Sequence, residues 1–159
     1  MKKYELTAEF IEKWGKKLFR IKALISFESV EVGELGGYVE KEDNLAQTGN
    51  AWVSGDAEVY GNARVCGDAR VCGDADYLLI GRIGSRFSFT TFFKNKDKGI
   101  TVSCGCFLGT IAEFRAKVTD THGNNKHAKM YNLAADMAEL QILGEEHFDK
   151  LNTNKSEPF

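Results

Sequence analysis

Gly84-Ser85-Arg86 places a flexible backbone, a hydroxyl and a guanidinium side by side. Together these suit a phosphate or a carboxylate, because the arginine fork bonds two oxygens at once. A polar turn whose arginine joins a salt bridge accounts for the same residues. A second stretch, Thr121-His122-Gly123-Asn124-Asn125-Lys126, links the stop of one helical pattern to the start of the next. There Asn124 or Asn125 caps the second helix, whose first amides are able to receive an anion. Capping alone explains the asparagines. His122 is explained less well, although the dipole at a helix C-terminus favours an imidazole. If both loops converge beside a sheet, Ser85, Arg86, Thr90, His122 and Asn125 form one polar anion pocket. Arg64 and Arg70 are further cations that suit an anion at a subunit boundary, with solvated or ion-paired arginines as the plainer reading.

Cys104-Gly105-Cys106 has the form of a metal-binding or nucleophilic pair. A structural metal needs about four ligands, and the histidines stand apart at His122, His127 and His147. Nucleophilic catalysis by either cysteine with His122 is conceivable, but nothing local marks an activated thiol. Cys66 and Cys72 read as surface packing and not as a disulfide. No glycine loop of the P-loop or dinucleotide type is present. No catalytic residue, metal or cofactor is assigned.

The elements that position these groups begin with a repeat. From Gly49 to Asp76 the chain cycles through Gly-[Asn/Asp]-Ala-x-Val, with Val53, Val59, Val65 and Val71 recurring every sixth residue. Ala51, Ala57, Ala63, Ala69 and Ala75 hold the second inward position. Trp52, Glu58, Arg64, Arg70 and Asp76 point outward on this reading. The Gly-Asp and Gly-Asn pairs turn the chain at corners, through positive φ or side-chain bonds to their own backbone. Units this short cannot bury an apolar side alone and must stack on their neighbours. The pattern resembles the hexapeptide repeats of left-handed parallel β-helices. That resemblance implies a short coil over residues 35–76 and a homotrimer, since the superfamily is commonly trimeric.

Before the repeat, residues 1–34 read as an N-terminal β cap. Phe19, Ile21 and Ala23 alternate with polar residues as in a half-buried strand, and Phe10, Ile11 and Trp14 belong to a short helix or a hairpin arm. Residues 77–143 read as an α+β module. Tyr77-Leu78-Leu79-Ile80 is a strand with both faces apolar; Phe87, Phe89, Thr91 and Phe93 alternate, and a third strand runs from Ile100 to Cys104. Thr110 and Glu113 form a capping box before a helix that Gly123 stops, and a second helix spans about 126–143. Residues 144–159 read as a loose tail. The expected fold is therefore mixed β and α+β: a short left-handed parallel β-helix with an N-terminal β cap, and a C-terminal small antiparallel sheet plus two helices.

A net charge of −2 argues against bulk nucleic-acid affinity, which needs a basic face. With neither a signal peptide nor an apolar span of about eighteen residues, a cytoplasmic protein with reduced thiols and no membrane contact is expected. As a whole the chain resembles a group of uncharacterised bacteriophage and prophage proteins. Leu35-Gly-Gly-Tyr38, the repeat, Ile83-Gly-Ser-Arg86, Thr90-Thr91-Phe92, Cys104-Gly-Cys-Phe107 and Thr121-His-Gly-Asn124 carry the likeness. The resemblance implies a non-catalytic homo-oligomer in the host cytosol that counters host defence, either by sequestering a nucleotide signal or by blocking a defence enzyme. A structural or assembly oligomer without ligand is the alternative. Acyl transfer, the activity of many hexapeptide-repeat enzymes, fits less well. Those enzymes are similar in using a histidine base on or beside the coil, and this repeat contains none.

Overall fold

The computed structural model describes the backbone of residues 1–156 and the side chains of residues 1–150. Strands β1 (Tyr4–Lys13) and β2 (Lys16–Ala23) form an antiparallel hairpin that turns at Trp14-Gly15. Both turn residues have positive φ, 51° and 76°, the backbone twist that a two-residue hairpin turn requires. Strand β2 pairs antiparallel with β3 (Leu35–Val39), and β3 pairs parallel with β5 (Glu58–Val59). A separate parallel ladder joins β4 (Trp52–Val53) to β6 (Arg70–Val71).

The left-handed parallel β-helix expected over 35–76 is therefore corrected. Among the described residues the chain builds a mixed sheet that is mostly antiparallel, a four-stranded sheet that is wholly antiparallel, the two-residue parallel ladder and three α-helices. Parallel pairing in the repeat is confined to two-residue ladders and one isolated bridge, Leu45 to Val65. The physical reason is length: each hexad has room for two extended residues between corners, whereas the β1–β2 hairpin supplies long continuous pairing. The valines and alanines of the repeat do point inward, all at 1% exposure or less except Ala75, which is exposed. Trp52 and Glu58, expected to face outward, are 4% and 7% exposed. Trp52 is covered edge-on by Tyr4 and Phe27, and Glu58 is held by Lys13 at 2.6 Å. Gly36 and Gly37 allow the approach of β3 to the repeat, because a Cβ on either would come within 2.5 Å of the Val53 or Ala57 carbonyl oxygen.

The second sheet has the order β10-β9-β8-β7, with β7 Tyr77–Ile83, β8 Ser88–Lys94, β9 Ile100–Cys104 and β10 Phe107–Thr110. Helices α1 (Ile111–His122) and α2 (Lys126–Ala138) pack on one of its faces. The capping box is formed as expected: Thr110 Oγ1 accepts from the Glu113 amide and Glu113 Oε1 accepts from the Thr110 amide, both at 3.2 Å. Arg115 ties the helices together, donating to Asp136 at 2.7 Å and Glu139 at 2.8 Å. After a π-helical turn at Glu139–Leu143 comes a third helix, α3 (Glu145–Ser156), within the segment read as a loose tail; residues 157–159 lie outside the described residues. Among the described residues no helix is long and apolar enough to cross a membrane.

Lys3 is buried against the repeat at 2% exposure. Its Nζ donates to the Ala51 carbonyl at 2.7 Å and lies 5.0 Å from the centre of the Phe27 ring. Burial, with the Arg70 charge as a second cause, pushes its ammonium down from 10.5 to about 8. Between those values the folded chain holds fewer protons than the unfolded chain, so this group's contribution to stability rises with pH. Relative to a Lys3→Met variant, wild type should gain on the order of 2 kcal/mol in urea unfolding between about pH 7 and about pH 10. A difference between the two proteins that stays constant over this range contradicts the assignment.

Candidate functional site

Antiparallel pairing places two turns at one end of the second sheet. The β7–β8 connection runs through Gly84, Ser85, Arg86 and Phe87 between the paired residues Ile83 and Ser88. The β9–β10 turn is Gly105-Cys106, between Cys104 and Phe107. Because Cys104 lies opposite Thr90, the two turns are neighbours. Helix α1 starts near the opposite end, where Thr110 pairs with Thr101, and its twelve residues bring its C-terminus back to the turns. Phe114, Lys117, Val118 and Thr121 recur at the spacing of a single helical stripe, and all of them face the same space.

That space is a cavity of about 400 Å³. Arg86, Lys117 and His122 supply its cationic and N–H donor groups, and Ser85 and Ser88 add hydroxyls. Phe107, Phe114 and Tyr131 form an aromatic wall, with Phe114 edge-on to Tyr131 at 5.6 Å and tilted against Phe107 at 5.8 Å. His122 stacks on the Tyr131 ring, centroids 5.9 Å apart and planes inclined by 26°. Behind it lies His127 at 5.5 Å, whose buried Nδ1 has no hydrogen-bond partner. No Asp or Glu lines the cavity.

Of the five residues expected to converge, Ser85, Arg86 and His122 line this cavity, while Thr90 and Asn125 do not. Thr90 is fully buried and donates to Cys104 Sγ at 3.2 Å, so it supports a lining residue from beneath. Asn125 caps α2, its Oδ1 accepting from the Ala128 amide at 3.0 Å, and is not part of the lining. Arg64 lines an adjacent cleft of about 290 Å³ that shares only Ser88 and Gly105 with the main cavity. Arg70 is committed elsewhere, donating to the Asn50 carbonyl at 2.6 Å and approaching Glu28 at 3.9 Å. Lys117 and the aromatic wall were missed. The signal for Lys117 was its place in the stripe of Phe114, Val118 and Thr121, which reads as a helix face unless the sheet end is known.

Cys104 is drawn toward Thr90 and Tyr131 and not toward an imidazole. Burial, then the neighbouring Cys104 thiol, pushes the Tyr131 hydroxyl up to about 12. The Cys104 thiol and the Tyr131 phenol together form a polar patch on the wall. The four cysteines are free, and among the described residues no group of three or more His, Cys, Asp or Glu is placed to hold a metal.

No protein-family model matches the chain, and no curated protein matches it significantly.

Gly84 lies directly against the Tyr131 side chain. Its φ is +83°, and a Cβ there would overlap the Tyr131 hydroxyl. Gly84→Ala should therefore lower stability by about 2–4 kcal/mol in urea unfolding, combining backbone strain with overpacking. A loss below about 0.5 kcal/mol would show that the turn does not rest on Tyr131.

Proposed function

We propose that the chain is a non-catalytic binding protein that captures a phosphorylated aromatic small molecule, a nucleotide or a nucleotide-derived signal, in the cavity between the two turns and α1. The observation that carries this reading is the lining itself. In a chain of net charge −2, three basic side chains meet around one cavity with no carboxylate among them, beside three aromatic rings.

The two halves of the lining call for two halves of a ligand. Arg86, Lys117 and His122 offer donors to phosphate oxygens, and a guanidinium at a turn is able to take two of them together. Phe107, Phe114 and Tyr131 offer a flat apolar surface for a base. A cavity of about 400 Å³ falls in the size range of small-molecule sites. The thiol of Cys104 and the hydroxyl of Tyr131 are hydrogen-bonding groups for the edge of a ring. The resemblance to phage and prophage proteins extends the proposal to its purpose: withdrawing a host defence signal from solution, with several copies of the site in a homo-oligomer.

Titration calorimetry with cyclic nucleotides and adenosine diphosphate ribose derivatives tests the reading. Saturable binding is expected for at least one of them, and Arg86→Ala should weaken it about 10- to 100-fold through loss of a charge-assisted hydrogen bond. Absence of heat with every member of the panel, or an Arg86→Ala variant that binds as wild type does, overturns it.

A further inference from the structure

Helix α2 has two apolar faces, and only one of them is used. Ala128, Tyr131, Ala134, Ala135, Ala138 and, in the π-helical turn, Ile142 are buried against the sheet and α1. On the other side stand four large apolar side chains: Met130 at 37% exposure, Leu133 at 66%, Met137 at 55% and Leu140 at 42%. Their spacing of three, four and three residues is that of a helix seam and not of scattered surface residues. A contiguous exposed stripe of this kind marks an interaction surface.

We propose that this stripe is the contact between two copies of the chain, whose α2 helices pack antiparallel about a two-fold axis at Ala135. Self-association is favoured because the stripe is symmetric in position. Met130 and Leu140 are equidistant from Ala135, as are Leu133 and Met137. A two-fold contact therefore sets each methionine against a leucine of the partner, the self-complementary arrangement that an isologous interface requires.

Charge points the same way. Lys126 and Lys129 occupy the first turn of α2, where the helix's own dipole disfavours cations and where no acidic residue offsets them. Glu145 and Glu146 follow the other end of the helical segment and are exposed; Glu146 has one solvent-exposed ion pair, with Lys150 at 3.3 Å. Antiparallel packing brings the two lysines of one copy to the carboxyl end of the other copy's helix, where the dipole and both glutamates are of opposite sign. The remaining charges beside the stripe are already held within the chain. Arg115 binds Asp136 and Glu139. Four side chains make a small patch, so the expected dissociation constant is about 10–100 μM.

Sedimentation velocity of the whole chain over a concentration series provides the test. Wild type should pass from one chain to two. Leu133→Glu should weaken association at least about 30-fold, by placing a charge in the apolar seam, and its circular dichroism should match that of wild type because position 133 is exposed. Lys126→Glu with Lys129→Glu should weaken association, and adding Glu145→Lys with Glu146→Lys to the same chain should restore it. A species that stays monomeric at every concentration overturns the proposal. So does a dimer or trimer that survives Leu133→Glu, or charge reversals that fail to compensate each other. None of these results bears on ligand binding at the cavity, which lies on the other side of α2.

Discussion

The structure depends on one wall with two apolar faces. Along β7, Tyr77 and Leu79 pack into the core of the repeat, while Leu78 and Ile80 pack into the core under the helices. On β8 the same division falls between adjacent residues: Phe93 belongs to the first core and Phe92 to the second, both fully buried. The side-chain period of a strand is two, so a shift of one residue in the β7–β8 register would exchange these faces and empty both cores together. Burying large aromatic rings on both sides makes such a slip far costlier than in a sheet with a solvated face. Thr91 is buried on the same strand, and its Oγ1 accepts the Arg64 amide at 3.1 Å, so the repeat is fastened to the wall by polar contact as well as by packing.

The candidate site inherits its rigidity from that wall. Its turns are anchored by the pairs Ile83–Ser88 and Cys104–Phe107, and the helix that closes it is clamped by Arg115 to α2. Phe92 sits edge-on beneath Phe114 at 5.7 Å, so the aromatic wall of the cavity rests directly on the shared strand. The groups that would meet a ligand lie at the ends of elements, and the groups that hold those ends are in the core.

Patterns that depend on a single element were legible in the sequence. The inward valines, the capping box at Thr110 and the strand with two apolar faces each follow from local period and turn chemistry. The two polar loops were legible as donor-rich segments, and the meeting of Ser85, Arg86 and His122 follows once the second sheet is antiparallel. The β-helix was not legible correctly. The hexad period shows that short sides must stack but does not show what pairs with their edges, and here the N-terminal hairpin takes β3 into a largely antiparallel sheet. For Arg64 and Arg70 the surroundings depend on which distant chain segment lies beside them, and Arg70 follows its plainer, ion-paired reading. Arg70 is consumed by Asn50 and Glu28, and Arg64 faces a separate cleft.

A second cavity differs from the first in the charge of its lining. A space of about 380 Å³ between the β1–β2 turn and the start of β7 also has aromatic walls, at Trp14, Tyr60 and Tyr77. Its charged groups are the carboxylates of Glu58 and Asp74, and a cation is already supplied from within: Lys13 lies 2.6 Å from Glu58 and 5.9 Å from the centre of the Trp14 ring. One ammonium faces two carboxylates there, so the lining of that cavity keeps a net negative charge. Around the first cavity the chain provides cations and no anion. Among the described residues neither Arg86 nor Lys117 has an ion-pair partner, although this acidic chain carries 23 Asp and Glu residues that might have met them by chance. Two cavities of similar size and similar aromatic content thus differ in the sign of the charge on their linings. The lining of the first is cationic and that of the second anionic, so an anion would be attracted to the first and repelled by the second.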